Sequence, residues 1–169
     1  MSKPICTCIV LFAAFQLAGT ASHAQTPATP LTSNKETTMT HHISGSFDVK
    51  LTPQTSPDKA ADAVPGRMSI DKQFHGDLDA HSLGEMLAAV SNVKGSAGYV
   101  AIEQVTGKLQ GRSGTFVLQH SGTMTRGTPQ LSVSVVPDSG TGELAGLTGQ
   151  MKINIVDGKH FYEFDYTLP

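Results

Sequence analysis

Apolar and polar residues alternate with a period of two along most of the chain. In residues 40–51, Ile43, Gly45, Phe47, Val49 and Leu51 fall on one face, and Ser44, Ser46, Asp48 and Lys50 on the other. Side chains of an extended strand point alternately to its two faces, so this pattern predicts a half-buried strand. Residues 67–75 repeat it, with Met68, Ile70, Lys72 and Phe74 in one phase, so that a lysine stands on the apolar face. Gly76-Asp77 reads as a tight turn. In residues 78–86 the phase is kept by Leu78, Ala80, Ser82, Gly84 and Met86. The run Glu-Met-Leu-Ala-Ala favours helix, so a helical turn at residues 84–90 is an alternative to continued strand.

The longest patterned stretch, residues 95–127, predicts a hairpin. Its arms are residues 99–109 and 115–125, joined through Gln110-Gly111-Arg112-Ser113-Gly114. On the second arm Phe116, Leu118, His120, Gly122 and Met124 share a face. The first arm is apolar on both faces: Tyr99, Ala101, Glu103 and Val105 against Val100, Ile102, Gln104 and Thr106. Such a strand is expected to be covered on both sides, as at a subunit contact or beneath a packed loop. Leu131, Val133 and Val135 are in phase in the next strand. A Gly-rich corner, residues 138–149, is expected to hold a short helical turn at residues 143–147. Residues 151–156 and 160–168 form the last pair around Asp157-Gly158, a strong two-residue hairpin signal.

This makes eight strands joined by short turns, except for a loop with three prolines at residues 52–66. Consecutive antiparallel strands with one apolar face close most simply into an all-β, eight-stranded antiparallel meander barrel, which leaves no exposed edge. A two-sheet sandwich is the structural alternative. Eight strands enclose room for packed side chains or one small ligand.

The amino terminus follows a different pattern. One positive side chain, Lys3, precedes a short apolar run ending at Gly19, and Ser22-His23-Ala24 places small residues where a signal peptidase reads. Residues 1–24 are therefore expected to be a signal peptide cleaved after Ala24, with a periplasmic or secreted destination. Residues 25–38, polar and rich in Pro and Thr, are expected to form a disordered linker, and residues 39–169 the barrel domain. Both cysteines, Cys6 and Cys8, fall in the signal, so the mature chain has no disulfide, thiolate ligand or thiol nucleophile. A net charge of −2, made more negative by loss of Lys3, gives no reason to expect nucleic acid as a partner, or a membrane once the signal is removed.

Several runs carry a resemblance: GRMSIDKQFHGDL, GEMLAA, GSAGYVAIEQVTGKLQGRSGTFVLQHSGTM, SGTGELAGLTGQMKI and DGKHFYEFDYTL. They resemble a bacterial family of domains of unknown function whose fold is similar to the eight-stranded barrel of plant allene oxide cyclases. The resemblance spans residues 39–168. It implies the barrel fold and no activity, and no catalytic motif of the cyclases is matched.

In the barrel reading, Lys72, Glu103, His120, Tyr162 and Tyr166 face the interior, with Tyr99 if its strand presents the same face as Glu103. Buried ionisable groups of this kind are acid/base and ligand-pocket candidates, with Glu103 and His120 the catalytic candidates. The competing expectation is a self-satisfied Lys72–Glu103 ion pair, a hydrogen-bonded core histidine, and tyrosines that pack. The six remaining histidines show neither His-x-His nor H-E-x-x-H spacing, so neither a metal site nor a cofactor is expected. No G-x-S-x-G elbow is present. Gly111-Arg112-Ser113-Gly114 opens a strand and not a helix, and so is a turn rather than a phosphate cradle. Three roles remain. The chain could be an exported barrel that binds a small, partly apolar molecule or is purely structural. It could be a cofactor-independent isomerase or cyclase using acid/base groups inside the barrel. Or it could be an oligomerisation module, a homo-oligomer formed through residues 99–105.

Overall fold

The computed structural model describes residues 39–54 and 65–169. The expected signal peptide, its cleavage after Ala24 and the linker lie outside the described residues. So does most of the proline-containing loop. The described residues form β1 (Thr40–Gln54), β2 (Gly66–Gly76), β3 (Leu78–Val90), β4 (Ala97–Leu109), β5 (Arg112–Thr125), β6 (Thr128–Val135), β7 (Thr148–Val156) and β8 (Lys159–Thr167). A single 3₁₀ turn, Gly142–Leu144, lies between β6 and β7.

Each strand pairs antiparallel with the next, and β1 closes the ring by pairing with β8 from Thr40↔Thr167 to Phe47↔His160. The expected barrel is therefore formed, and the sandwich is not. Closure satisfies the backbone groups that an open sheet would leave on its edges. Three connections are two-residue turns with positive φ at both positions: Gln110-Gly111, Arg126-Gly127 and Asp157-Gly158. Positive φ at both residues matches the turn to the twist of the flanking strands, which is why glycine takes the second position.

One open alternative is decided and one local expectation is corrected. The helix-favouring end of β3 stays extended to Val90, because Gly84 to Val90 pairs residue for residue with Glu103 to Ala97 of β4. A full ladder of interstrand hydrogen bonds outweighs a weak local preference for helix. The turn in the Gly-rich corner closes at Leu144, earlier than expected, although Leu144 and Leu147 are both buried and help to plug the barrel. On β4, Ala101, Glu103 and Val105 are buried inside, whereas Val100 and Ile102 are about half exposed on the outer wall. Among the described residues, nothing covers that outer face.

The core is concentrated towards one end, called lower here, which carries the β2–β3 turn, the β4–β5 turn and the 3₁₀ turn. Phe47, Phe74, Phe116, Phe164, Tyr162, Tyr166, Leu109, Leu144 and Leu147 pack there. Phe74 meets Tyr162 edge-on at 5.6 Å between ring centroids, and Phe116 stacks on Phe164 at 6.1 Å. The Tyr162 hydroxyl accepts a hydrogen bond from the Leu78 backbone N–H at 3.1 Å and donates to the His75 carbonyl at 3.2 Å. It thereby ties β8 to the β2–β3 turn across the barrel.

Tyr162→Phe keeps the ring and strips a buried N–H and a carbonyl of their partner. The expected loss is about 1–3 kcal/mol, the penalty for buried unsatisfied polar groups. Urea denaturation checks it, and a variant as stable as the parent would show that the hydroxyl does not brace the turn.

Candidate functional site

The barrel interior carries four buried polar side chains: Lys72 on β2, Ser82 on β3, Glu103 on β4 and His120 on β5. Their positions follow from phase. Each sits in the inward set of its strand, flanked two residues away by inward-facing neighbours such as Ile70 and Phe74, or Ala101 and Val105. Register then brings them together. Lys72 is opposite Ser82, and Glu103 is opposite Gly84, so β3 presents only small side chains between the two charges. A Cβ at Gly84 would lie 2.7 and 2.9 Å from Cα and Cβ of Glu103. The absence of a side chain there lets β4 approach closely and leaves the space through which Glu103 meets Lys72.

The Lys72 Nζ donates to Glu103 Oε1 at 2.9 Å and lies 2.8 Å from Oε2, with the two side chains 4% and 0% exposed. The same ammonium stands over the rings of Phe47 and Phe74, 4.7 and 5.1 Å from their centroids. Carboxylate on one side and aromatic faces on the other compensate a cation that has lost its water. His120 Nε2 is 3.9 Å from Glu103 Oε1, too far for a hydrogen bond. Its Nε2 and the Ser82 Oγ are buried without any hydrogen-bond partner, and Glu103 Oε2, although 2.8 Å from the ammonium, also makes no hydrogen bond. Burial pulls the imidazole down to about 4; the Glu103 charge opposes this in part, and the Lys72 charge adds to it. At neutral pH the ring is therefore uncharged, with a nitrogen free to donate or accept according to its tautomer.

The six candidate residues divide into two groups. Lys72, Glu103 and His120 form one cluster, and Tyr99 stands beside it. The Tyr99 ring lies over Gly122 of β5, where any Cβ would overlap it, and burial together with the Glu103 charge raises its phenol above the ordinary range. Tyr162 and Tyr166 stand apart from the cluster. Tyr162 is spent on the β2–β3 turn, and the Tyr166 hydroxyl donates to Gln110 Oε1 at 2.7 Å in the β4–β5 turn. Ser82 was not among the residues singled out, although its inward phase was legible. The signal was a small polar side chain directly opposite the inward lysine.

Above this cluster the inward positions open to solvent. Leu51, Met124, Leu131 and Ile155 share the inward phase of their strands yet are 47%, 42%, 42% and 65% exposed. Met68, Met86 and Ile153 are half-buried. The wall also parts on one side: β6 and β7 are paired only at Ser134↔Gln150, so Leu131 and Ile155 flank a seam with no ladder between them. The interior is thus packed below and sealed at the polar cluster, whose side chains are 0–4% exposed, while the inward apolar positions nearer the upper rim are partly exposed.

The outer wall has a groove of about 580 Å³, lined by Arg67, Glu85, Leu87, Val100, Ile102 and Gln119, with Ala101 and His120 of the inward set also contributing to its lining. Its charged groups, Arg67 and Glu85, bind each other. Exposed histidines pair with carboxylates: His42 with Asp165, His75 with Asp48 and His81 with Asp71. Among the described residues, no group of three or more His, Cys, Asp or Glu could hold a metal ion.

A family model described as "Protein of unknown function (DUF3224)" matches residues 43–166. Among solved structures, the crystal structure of a protein with unknown function from the DUF3224 family of Shewanella oneidensis MR-1 is similar. It is 55% identical, with a TM-score of 0.72, covering 78% of this chain and 98% of that one. No curated protein matches. The bacterial family of unknown function expected from the sequence is the one found. The matches do not bear on the likeness to allene oxide cyclases.

Two measurements follow from the cluster. Glu103→Gln leaves a buried ammonium without a counter-charge and is expected to cost about 3–5 kcal/mol, whereas Lys72→Met combined with Glu103→Leu recovers most of that loss. Urea denaturation of the single and double variants checks this; a double variant as unstable as the single would count against the pair as the source of the penalty. For His120 the folded value near 4 lies below the ordinary 6.5. The unfolded chain then binds the proton first, so stability is full above pH 6.5 and falls as the pH drops towards 4, by on the order of 3 kcal/mol. His120→Gln should remove that part of the acid sensitivity. Parallel stability–pH profiles for the two proteins would exclude it.

Proposed function

Because this chain belongs to the DUF3224 family, whose function is unknown, its role has to be read from its own residues, and we propose that it is an exported barrel that binds a small, partly apolar molecule. The observation that carries the reading is the set of buried polar atoms without a hydrogen bond, Ser82 Oγ, His120 Nε2 and Glu103 Oε2, below inward apolar side chains that remain partly exposed. A barrel with a purely structural interior would bury those side chains and satisfy those atoms. An apolar wall with a few convergent polar groups is the usual chemistry of a small-molecule site. Export rests on the leader pattern of residues 1–24. Association of copies through the outer wall is supported by Leu83, Leu87, Val100 and Ile102, which are all about half exposed.

A second reading, a cofactor-independent isomerase or cyclase, is favoured by one observation: His120 is kept neutral, as a general base must be, with a free ring nitrogen. Glu103 is less available for proton transfer, since Lys72 lies within 2.9 Å of both its oxygens. Binding is therefore the first reading and turnover the second.

Native mass spectrometry of the full chain, expressed with its own leader and purified from the periplasm, tests the proposal as a whole. The expected spectrum shows a polypeptide beginning at Gln25, an adduct that heat releases, and a species of more than one subunit. A cytoplasmic protein retaining residues 1–24 would end the export reading. A bare polypeptide would end tight carriage, and a strictly monomeric one would end association. An adduct recovered chemically altered after incubation would move the second reading to first place.

A further inference from the structure

We infer that the molecule held in the barrel meets the polar cluster with an uncharged polar group, a hydroxyl, carbonyl or amide, and that the site discriminates against carboxylates and ammonium ions attached to the same apolar body. The inference rests on the binding reading above and adds the charge class of the ligand.

Charge balance among the buried groups sets the charge class of the ligand. Lys72 and Glu103 together sum to zero, and they are already matched to each other within 2.9 Å. The remaining faces of the ammonium are turned to Phe47 and Phe74, not to open space. An incoming carboxylate would therefore add a second negative charge beside Glu103, with no cation left to receive it. An incoming ammonium would have to compete with Lys72 for the same carboxylate. Either way a third charge is buried without its own partner, and burying an unpaired charge is far more costly than burying a neutral polar group. Three buried atoms lack a hydrogen bond: Ser82 Oγ, His120 Nε2 and Glu103 Oε2, and the charge of the last is already met by Lys72 Nζ at 2.8 Å, which leaves the two neutral groups without any partner. Ser82 Oγ is a hydroxyl, 1% exposed as a residue, and His120 Nε2 belongs to an imidazole with no hydrogen-bond partner. A hydroxyl, carbonyl or amide offers the donor or acceptor capacity these atoms lack, without changing the net charge. The body of such a molecule would rest against Met68, Met86, Met124, Leu131 and Ile155, and methionine side chains adapt to varied apolar shapes.

The test compares three probes with one alkyl tail: decyl alcohol, decanoate and decylamine, titrated calorimetrically into the mature protein near neutral pH, with native mass spectrometry to confirm stoichiometric complexes. The expected result is that decyl alcohol binds at least about tenfold more tightly than either charged probe, and that Ser82→Ala, which leaves the ion pair intact, lowers the affinity for the alcohol several-fold. In Glu103→Gln the freed Lys72 should reverse the order, so that decanoate binds best and raises the melting temperature. Should that variant not fold, the ranking in the parent and the effect of Ser82→Ala decide the matter alone. Decanoate or decylamine binding the parent as well as the alcohol would overturn this inference and leave the binding reading standing. An alcohol affinity untouched by Ser82→Ala would also overturn it. Failure of all three probes to bind would instead remove the binding reading itself.

Discussion

The interior is organised around the Lys72–Glu103 ion pair. Two charges can sit inside a barrel only if they reach each other, and the strands that carry them are not neighbours, since β3 runs between. The requirement therefore falls on β3, which presents Ser82 and Gly84 where larger inward side chains would separate the pair. It falls also on Phe47 and Phe74, whose ring faces meet the cation on the side away from the carboxylate. Once these conditions are met, the level of the pair divides the barrel. Below it, aromatic and leucine side chains pack to exclusion of solvent, and Tyr162 and Tyr166 use their hydroxyls to tie turns together. Above it, no equivalent set of large side chains converges, and the inward positions stay partly wet.

The fold was legible in the sequence for reasons that can be traced to individual residues. Period-two alternation names the face of nearly every side chain, and Asp157-Gly158 and the Gln110–Gly114 connection mark where strands reverse, although the second narrows to Gln110-Gly111 because Arg112 to Gly114 already pair with Leu109 to Gly107. Alternation also placed Lys72, Glu103 and His120 inside, and a pairing of the first two was a natural expectation. Alternation does not give height along the barrel axis. That depends on register and on the stagger between strands, which is why Tyr162 and Tyr166 share a phase with their neighbours yet stand apart from the charged cluster. The two apolar faces of β4 were ambiguous for a related reason. Val100 and Ile102 are a consistent apolar pair, but whether anything lies over them is a property of the assembly and not of the strand. The β3 end left helix open as an alternative because its propensity for helix is local, while the ladder to β4 that holds it extended is not.

The open upper half is also tied to the seam between β6 and β7. Elsewhere the ladders run along the strands, but these two meet at Ser134↔Gln150 alone. A short β6 and a corner carrying the 3₁₀ turn hold the two strands together only near the lower end. Their upper parts diverge, and Leu131 and Ile155 are left exposed on either side. Strands joined by few hydrogen bonds separate at lower free energy than the rest of a sheet. The seam is therefore the stretch of wall held by the fewest interstrand hydrogen bonds.

A last consideration bears on why such an interior persists. A buried ion pair is seldom more stable than a well-packed apolar substitute, because the desolvation of both ions offsets their attraction. An uncapped serine hydroxyl and an imidazole held neutral add further unfavourable terms, since each has lost water without gaining a partner. Leucine-sized residues in these places would give a simpler and more stable barrel, and the lower half shows that this chain can build one. Stability alone therefore does not account for the four polar residues at Lys72, Ser82, Glu103 and His120. In the binding reading proposed above, they supply charge-balanced polar groups below the partly exposed inward apolar positions, and a neutral polar group reaching them would relieve those unfavourable terms.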